Sequence, residues 1–403
     1  MATLNPQLLS AILFSAFLPL LARAAEPPPP PPTPAQVFLR ALGSAESTPE
    51  ARREAWKQLL EAAKRPPRSA VDAVDRARER AWKRLADLLN SSSARRVAGG
   101  LYAAIKPQQP KVREAVGAEG FSHEKLDEAM APIEKALKEA QAPLLASDAY
   151  KAATATIDEM EGYAADCGLR IGWNGELCEA LCALAFVARW AGPPRWRDVL
   201  ENNARFGGWI DPSECACIER LNVHRILIGL APAEIDLRLV AAAKKHSEEM
   251  VAKDYFSHDS PTPDLKTPWA RAGREHTGSS GECIAAGPGS GVGAFQMWFY
   301  SQGHHKIMIS GASAVGVGRC QNKWTLMMGG SRMSGALAGK MAQYVRRRYE
   351  AGESIEKLLD LAKWASDNKL VTQAQDELER VLLLDPKNEQ AKKALDRIRS
   401  KSR

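Results

Sequence analysis

The alternation of apolar and polar positions predicts a largely helical N-terminal half. Residues 35–205 place apolar side chains at three- and four-residue spacing, with few runs of β-branched residues. Pro- and Ser-rich segments interrupt this pattern and predict the connections between helices. Tandem helices of this kind bury their apolar faces against one another, so we expect a bundle or a solenoid over 35–214. The clearest predicted helices cover 51–63, 69–89, 123–140 and 150–163.

The pattern changes over residues 215–335, where short apolar runs containing glycine alternate with helical segments. Such alternation is typical of a layered domain with a sheet. We therefore expect an α+β chain, with a sheet-containing domain in its centre and all-α regions on both sides. The predicted helices of the centre cover 218–230, 233–253 and 292–299, and its predicted strands cover 281–287, 313–320 and 323–330.

Residues 353–400 predict two helices that form a hairpin, and they resemble a tetratricopeptide unit. Small and large apolar residues fall on the positions of its 34-residue pattern when these are counted back from Pro386. One repeat cannot bury its own apolar face, so the segment is expected to dock on another domain or on a partner. A capping helical hairpin is the alternative. The matching residues are Leu358, Leu361, Ala362, Ala374 and Leu378.

The N-terminus predicts export from the cytoplasm. Residues 8–21 are largely apolar, and an A-R-A sequence follows at 22–24. The run is shorter than the ~20 residues of a spanning helix, and its length suits a signal peptide. We expect a signal peptide over 1–24, a stiff Pro-rich linker over 25–34 and a secreted or periplasmic protein. An uncleaved N-terminal anchor is the alternative, because no Lys or Arg precedes the apolar run; no later segment is long enough to span a membrane.

The amino-acid composition limits the classes of partner that the protein is expected to bind. The chain has 403 residues, enough for two or three domains, and is 45% hydrophobic and 26% charged. Residues 51–100 hold 13 Lys or Arg against 6 Asp or Glu, an excess equal to the net charge of +7. The two signs alternate at helical spacing, which is typical of a solvated helix face. Neither a basic patch with aromatic residues nor a known module is visible, so no nucleic-acid partner is expected.

Seven cysteines bear on redox state and metal binding. Disulfides are permitted in an exported protein, and an odd number leaves at least one thiol unpaired. Cys215 and Cys217 flank a single residue, which is poor spacing for a mutual disulfide. Cys178 and Cys182 lie four residues apart on a predicted helix, so both face one core. Because no C-x-x-C pair occurs, a zinc site built from cysteines is not expected.

Five motifs in the centre resemble the CAP superfamily, also called the SCP domain, which includes cysteine-rich secretory, antigen 5 and pathogenesis-related proteins. They are an N-x-x-R helix, an L-x-x-A-A-x-x-H helix that leads into Y-F-S-H, G-E-C-I-A-A-G, W-F-Y-S-Q-G-H-H, and two closing strands. The resemblance covers about 115 of 403 residues. It implies a three-layer α-β-α sandwich for 215–335, and nothing for the helical flanks.

The resemblance also implies a cleft lined by His258, Glu282 and His304. The second Glu of the larger members is replaced by Ser301, which we include among the expected ligand-binding residues. Two neutral imidazoles are good ligands for zinc, so His258 and His304 are the candidate metal ligands. Glu282 could complete the metal shell or orient a water, which makes it the candidate catalytic residue. A polar cleft without metal remains the alternative.

Other residues near this cleft carry weaker expectations. Cys283 stands where the family has Asn, and a disulfide to Cys320 is the hypothesis, against two buried thiols. His305 is expected to be solvated or to face phosphate, whereas His246 and His224 are expected to be structural. A serine nucleophile is not expected, since no G-x-S-x-G elbow is present. The spacing after residue 299 predicts a helix C-terminus with Gly303 as its stop.

The sequence thus leads to an exported CAP-like protein that acts as a non-catalytic binding module for a metal, a small ligand or an envelope protein. Two alternatives belong to other classes. One is a metal-dependent hydrolase of envelope or peptide substrates. The other is a protein-interaction scaffold that acts through its helical flanks.

Overall fold

The computed structural model contains two compact units, Met1–Ala70 and Val71–Arg403. The expected signal peptide over 1–24 and most of the expected linker over 25–34 lie outside the described residues. No helix among the described residues is long and apolar enough to cross a membrane. The described residues are 31–63, 65–89, 91, 101–167, 174–187, 194–207, 210–330 and 335–401.

The first unit contains a pair of helices, α1 (Pro34–Gly43) and α2 (Pro49–Ala62). Each begins with a Thr–Pro pair, in which the Thr side chain accepts a hydrogen bond from the first turn and the Pro occupies a position whose N–H would be unpaired. The rings of Phe38 and Trp56 pack with centroids 4.7 Å apart. This aromatic contact joins the two helices.

Helix α3 (Arg68–Leu89) runs across the boundary between the units, and further helices precede the sheet in the second unit. Their buried faces carry the apolar residues whose spacing predicted them. Helix α8 also supports the sheet, since the Asn203 side chain accepts from the backbone N–H of Ile235 at 2.8 Å and donates to the carbonyl of Ala233 at 3.0 Å. These helices are α4 (Gln109–Gly117), α5 (His123–Leu145), α6 (Asp148–Asp166), α7 (Gly175–Val187) and α8 (Pro194–Gly207).

The centre of the chain forms a mixed sheet of four strands in the order β1-β3-β4-β2, in which β1 runs parallel to β3 and the other pairs are antiparallel. The mixture of helices with this small sheet confirms the α+β class. The elements in order are α9 (Pro212–Leu227), β1 (Glu234–Ile235), α10 (Leu237–Ala252), α11 (Pro268–Arg274), β2 (Ser279–Ala286), α12 (Gly291–Phe299), α13 (Gln302–Met308), β3 (Ala314–Cys320) and β4 (Lys323–Gly329).

The two faces of the sheet pack against different helices. Gly316 and Gly318 face α10 so closely that a Cβ at either position would collide with the α10 backbone. Val315 and Val317, on the opposite face, are fully buried in the core that includes apolar residues of α9 and α12. Glycine on one face and valine on the other therefore set how near each helix lies to β3.

The C-terminal region consists of four helices. The pair α15–α16 forms the expected hairpin, and α16 ends at Leu384, directly before the Asp-Pro pair. All five apolar residues matched to the tetratricopeptide pattern are buried, at 3% exposure or less. These helices are α14 (Gly335–Ala351), α15 (Ile355–Asp367), α16 (Val371–Leu384) and α17 (Glu389–Lys401).

Two expected boundaries differ from the structure. Helix α9 begins at Pro212 because Asp211 and Glu214 form a capping box, so the expected domain boundary at 214/215 falls inside this helix. The expected stop at Gly303 is also wrong. Helix α12 ends at Phe299, the chain turns at the extended Ser301, and Gly303 lies within the new helix α13.

Candidate functional site

The loop that carries His258 is tied to the C-terminal end of α10 by Glu249. The Glu249 carboxylate accepts hydrogen bonds from the hydroxyls of Tyr255 at 2.8 Å and Thr262 at 2.5 Å, and from Lys253 at 2.7 Å. Although burial opposes its ionisation, these donors lower the pKa of Glu249 to about 2. The carboxylate is therefore a fixed negative charge that holds the loop in place.

His246 provides a second tether for the same loop. It is buried on α10, and its Nε2 lies 3.1 Å from the carbonyl oxygen of Ser257, to which Nε2–H donates. The same nitrogen lies 3.9 Å from Oε1 of Glu282. Burial lowers the pKa of His246 to about 4, so the ring is neutral near pH 7. His246 has the structural role that the sequence suggested.

Glu282 lies on β2 directly behind His258, and its side chain is only 1% exposed. Its Oε1 accepts from Nδ1 of His258 at 2.9 Å, and its Oε2 accepts from Nη2 of Arg271 at 2.6 Å. The same Arg271 nitrogen donates to the backbone carbonyl of His258 at 3.0 Å. Both carboxylate oxygens are engaged, so Glu282 orients His258 instead of facing the cleft.

The hydrogen bond to Glu282 fixes the chemical form of His258. An ionised carboxylate only accepts, so the proton of the His258 ring lies on Nδ1. In the neutral ring, Nε2 then carries a lone pair. Because the His258 side chain is 49% exposed, this nitrogen is accessible from the cleft.

His304 faces His258 from helix α13. The ring centroids lie 6.3 Å apart with the planes inclined at 51°. Burial, and in second place the neighbouring His258, lower the pKa of His304 below its ordinary value. Ser301 occupies the N-cap position of α13, half-buried, but its side chain does not cap the helix. His258 thus lies next to both other residues of the predicted site, hydrogen-bonded to Glu282 and with its ring 6.3 Å from that of His304.

Arg225 holds the far end of α13. Its guanidinium donates to the carbonyls of Ala231, Met308, Ser310 and Ala312 at 2.7–3.0 Å. Burial lowers the pKa of Arg225 to about 10, which still leaves it charged near pH 7. The Arg of the N-x-x-R motif therefore acts as a clamp on the chain between α13 and β3.

A buried histidine pair supports α13 from below. The Nε2 atoms of His224 and His305 lie 2.8 Å apart, and Nδ1 of His305 lies 2.7 Å from the carbonyl of Phe299. Burial lowers the pKa of His305 to about 4 and that of His224 well below its ordinary range. The expectation that His305 is solvated is wrong, because α13 is a separate helix whose inner face carries this ring.

The expected disulfide between Cys283 and Cys320 is not formed, and both residues are free thiols. Cys283 lies in register with Val317 across β4, whereas Cys320 is three residues further along β3 and faces the other side of the sheet. The Cys283 thiol lies 3.7 Å from the carbonyl oxygen of His304. Cys283 thus contacts the backbone of α13 where the family Asn would stand.

The helices before the sheet also hold this region. The Gln302 amide donates to two carbonyls at the C-terminal end of α4, those of Val116 at 3.2 Å and Ala118 at 2.7 Å. The Tyr300 hydroxyl donates to Asp127 on α5 at 3.0 Å. The turn that precedes His304 is therefore fixed by the N-terminal helical region, which the sequence did not indicate.

The sequence analysis missed three residues that hold the site in place: Arg271, Glu249 and Arg225. Each acts through contacts with backbone carbonyls or with a side chain on another element. Only Arg225 could have been found from the sequence, because it belongs to the N-x-x-R motif. Within the described part of the chain, no group of three or more His, Cys, Asp or Glu is arranged to hold a metal ion.

Comparison with known proteins finds a family model that matches the central part of the chain. Residues 218–327 match the model of CAP, the Cysteine-rich secretory protein family. This segment contains His258, Glu282 and His304 in the order and contacts described above. The segment is a CAP domain.

Relatives of the CAP domain occur in Bacillus subtilis (strain 168). The uncharacterized protein YkwD is 32% identical over 111 residues, which are 27% of this chain and 43% of YkwD. The uncharacterized membrane protein YlbC is 34% identical over 107 residues, which are 26% of this chain and 31% of YlbC. The chain thus spans less than half the length of these relatives.

One solved structure is also similar. It is an extracellular protein containing a SCP domain from Bacillus anthracis str. Ames, with 29% sequence identity. The match covers 34% of this chain and 45% of that chain, with a TM-score of 0.28.

Proposed function

We propose that this is an exported binding protein whose CAP domain takes up a metal ion through His258 and His304 without turnover. Export is supported by the apolar run at 8–21 and the A-R-A sequence after it. The CAP domain is proposed to form the three-layer α-β-α sandwich, with α10 on one face of the sheet and α9 and α12 on the other. Residues 353–400 are proposed to act as a tetratricopeptide-like segment.

The observation that carries this proposal is the hydrogen bond between His258 and Glu282. A metal-binding His usually donates its second ring N–H to a carboxylate, which fixes the tautomer and orients the ring. Glu282 occupies this supporting position, and Nε2 of His258 is left with its lone pair. His304 offers a second neutral imidazole across the cleft.

The separation of the rings fits a shared ion. Imidazole nitrogens bind zinc at ~2.0–2.1 Å, so two rings on one ion have centroids about 5–6 Å apart. The observed distance of 6.3 Å lies just above this range, so the two rings would have to move closer together to share an ion. Two protein ligands leave the remaining positions of the ion to water or to a second ligand, so a small polar ligand is the second candidate occupant.

The hydrolase alternative needs a free carboxylate beside the ion. Glu282 is buried, and its two oxygens already accept from His258 and Arg271. Its geometry therefore favours orientation of a ligand-binding His over general base catalysis. For this reason turnover is not part of the proposal.

The test is a calorimetric titration of Zn²⁺ into the metal-stripped full-length protein. We expect micromolar or tighter binding that is lost in the His258→Ala/His304→Ala variant. Glu282→Gln is expected to weaken binding by about 10–100-fold, the range typical of a lost supporting partner. His276→Asn, at an exposed His outside this cleft, is the matched control and should bind as the wild type does.

Equal zinc binding by the wild type and the double variant would refute the metal site. Weaker zinc binding by Glu282→Gln, together with unchanged binding by the His258→Ala/His304→Ala variant, would also contradict it. Far-UV circular dichroism of each variant distinguishes loss of the site from loss of the fold.

A further inference from the structure

Two thiols and a phenol meet between helices α6 and α7, outside the CAP domain. Cys178 and Cys182 lie one turn apart on α7, and Tyr150 lies near the start of α6. The Tyr150 hydroxyl oxygen is 3.2 Å from the sulfur of Cys178 and 3.3 Å from that of Cys182. Three polar atoms from two different helices thus converge on one point.

This group lies at an apolar core but has a route to solvent. The two thiols are 5% and 1% exposed, and they pack with Leu85, Ala153 and Ile157. Tyr150, whose hydroxyl contacts both sulfurs, is only half-buried. An ion could therefore reach the sulfurs by a rotation of one side chain.

The two thiols and the Tyr150 hydroxyl affect one another's protonation. The Cys178 thiol donates to Cys182, and this hydrogen bond together with burial raises the pKa of Cys178. The donors Cys178 and Tyr150 lower the pKa of Cys182, although burial opposes this.

We propose that Cys178 and Cys182 bind one soft monovalent metal ion of the Cu(I) type between their sulfurs, with the Tyr150 hydroxyl donating to the bound thiolate. Thiolates are the ligands that select soft ions. In the thiol–thiolate form of the pair, the ion replaces the remaining thiol proton, which leaves to solvent. The charge of the buried pair is then unchanged by binding.

Zinc does not fit this position. A structural zinc site needs four ligands, and here two sulfurs and one phenol converge. A soft monovalent ion can be held by two thiolates alone, and residues four apart on a helix point to the same side.

The experiment is an anaerobic titration of the reduced full-length protein with Cu(I), in competition with a chromogenic Cu(I) chelator. The wild type should hold one Cu(I) more than the Cys178→Ala/Cys182→Ala variant. Each single Ala variant should lose at least about 100-fold in affinity, and Tyr150→Phe about 10-fold, as for a lost supporting hydrogen bond. Cys215→Ala removes a buried thiol elsewhere and should leave this ion in place.

Equal Cu(I) stoichiometry in the wild type and the double variant would overturn the proposal and leave the thiols as small apolar core residues. X-ray absorption at the copper edge gives a second readout that needs no variant. Two sulfur neighbours are expected, and a copper bound by nitrogen or oxygen alone would refute the site. Tyr150→Phe keeps both thiols and nearly the same volume, so it stays informative if the Ala variants unfold.

Discussion

Glu282 shows at the residue scale how a buried charge sets the roles of its neighbours. Taking a carboxylate out of water costs several kcal/mol unless it is paired and hydrogen-bonded. Arg271 pairs with Oε2, and His258 donates to Oε1. Because Nδ1 of His258 donates to this carboxylate, Nε2 is the ring nitrogen left for a metal ion.

Buried histidines make stability depend on pH. Burial lowers the pKa of His246 to about 4, below the value of about 6.5 expected in the unfolded chain. Between these values the unfolded chain binds more protons. His246 therefore contributes stability that is fully present above about pH 6.5, falls as the pH drops, and is lost below about pH 4.

We expect His246→Gln to lose less stability on acidification than the wild type. The difference between the two proteins should reach about 2–3 kcal/mol between pH 7 and 4, since one pKa unit corresponds to about 1.4 kcal/mol. Urea unfolding at a series of pH values measures it. Parallel pH profiles for the two proteins would contradict the prediction, and His276→Asn controls for the loss of an exposed imidazole.

At the scale of elements, the contact between α10 and β3 is set by glycine. Gly316 and Gly318 lie on the face of β3 that meets α10, and a Cβ at either would collide with backbone atoms of that helix. Backbone cannot move aside as a flexible side chain can. The positions of both His246 on α10 and the sheet that carries Glu282 depend on this close approach.

Gly318→Ala is therefore expected to destabilise the protein by about 1–3 kcal/mol, the usual cost of overpacking a core. The matched control is Gly339→Ala in α14, where an added Cβ meets no atom within 4 Å. That change should stabilise the helix by about 0.5–1 kcal/mol. Thermal and urea unfolding give both values, and a neutral Gly318→Ala would show that α10 packs less tightly than described.

The sequence predicted several elements of the central domain to within two residues. The expected strand at 281–287 corresponds to β2 (Ser279–Ala286), and the expected helix at 292–299 to α12. Helix α13 was missed because seven residues with a glycine near the start give no detectable period. The order of five motifs, rather than any one pattern, indicated the CAP domain.

The supporting residues of the site were harder to predict for a physical reason. Glu282 and Arg271 are eleven positions apart on different elements, and their ion pair exists only once α11 has docked against β2. The fate of Cys283 and Cys320 likewise depends on strand register, which decides the face of each side chain. Residue type and spacing alone contain neither piece of information.

At the scale of the whole second unit, the C-terminal helices are tied to the CAP domain by buried charges. Asp376 on α16 pairs with Lys245 on α10 and with Arg274 on α11, the latter at 2.6 Å. Arg348 on α14 donates to Glu248 on α10 at 2.9 Å. A single repeat-like hairpin cannot bury its own face, and this network shows where it docks.

The same ion pairs connect the C-terminal helices to the helices that support Glu282. Lys245 lies next to His246 on α10, and Arg274 lies on the helix that carries Arg271. The charges that hold the C-terminal segment therefore also fix the two elements behind Glu282. A role as a free interaction scaffold would require the C-terminal segment to leave these charges. Arg274 would then lose the carboxylate of Asp376, whereas Lys245 would keep its pair with Glu275.

Asp376→Ala tests this arrangement, because it leaves Lys245 and Arg274 without their common carboxylate. These side chains are 12–22% exposed and Lys245 keeps Glu275 as a partner, so we expect a loss of about 1–3 kcal/mol, below the ~3–5 kcal/mol of a fully buried pair. The matched control is Glu379→Ala on the same helix, since the pair of Glu379 with Arg399 is exposed and is expected to contribute only about 0–1 kcal/mol. Urea unfolding of both variants measures the difference. Equal effects would mean that the C-terminal helices are held by apolar contacts alone and could separate from the CAP domain to bind a partner.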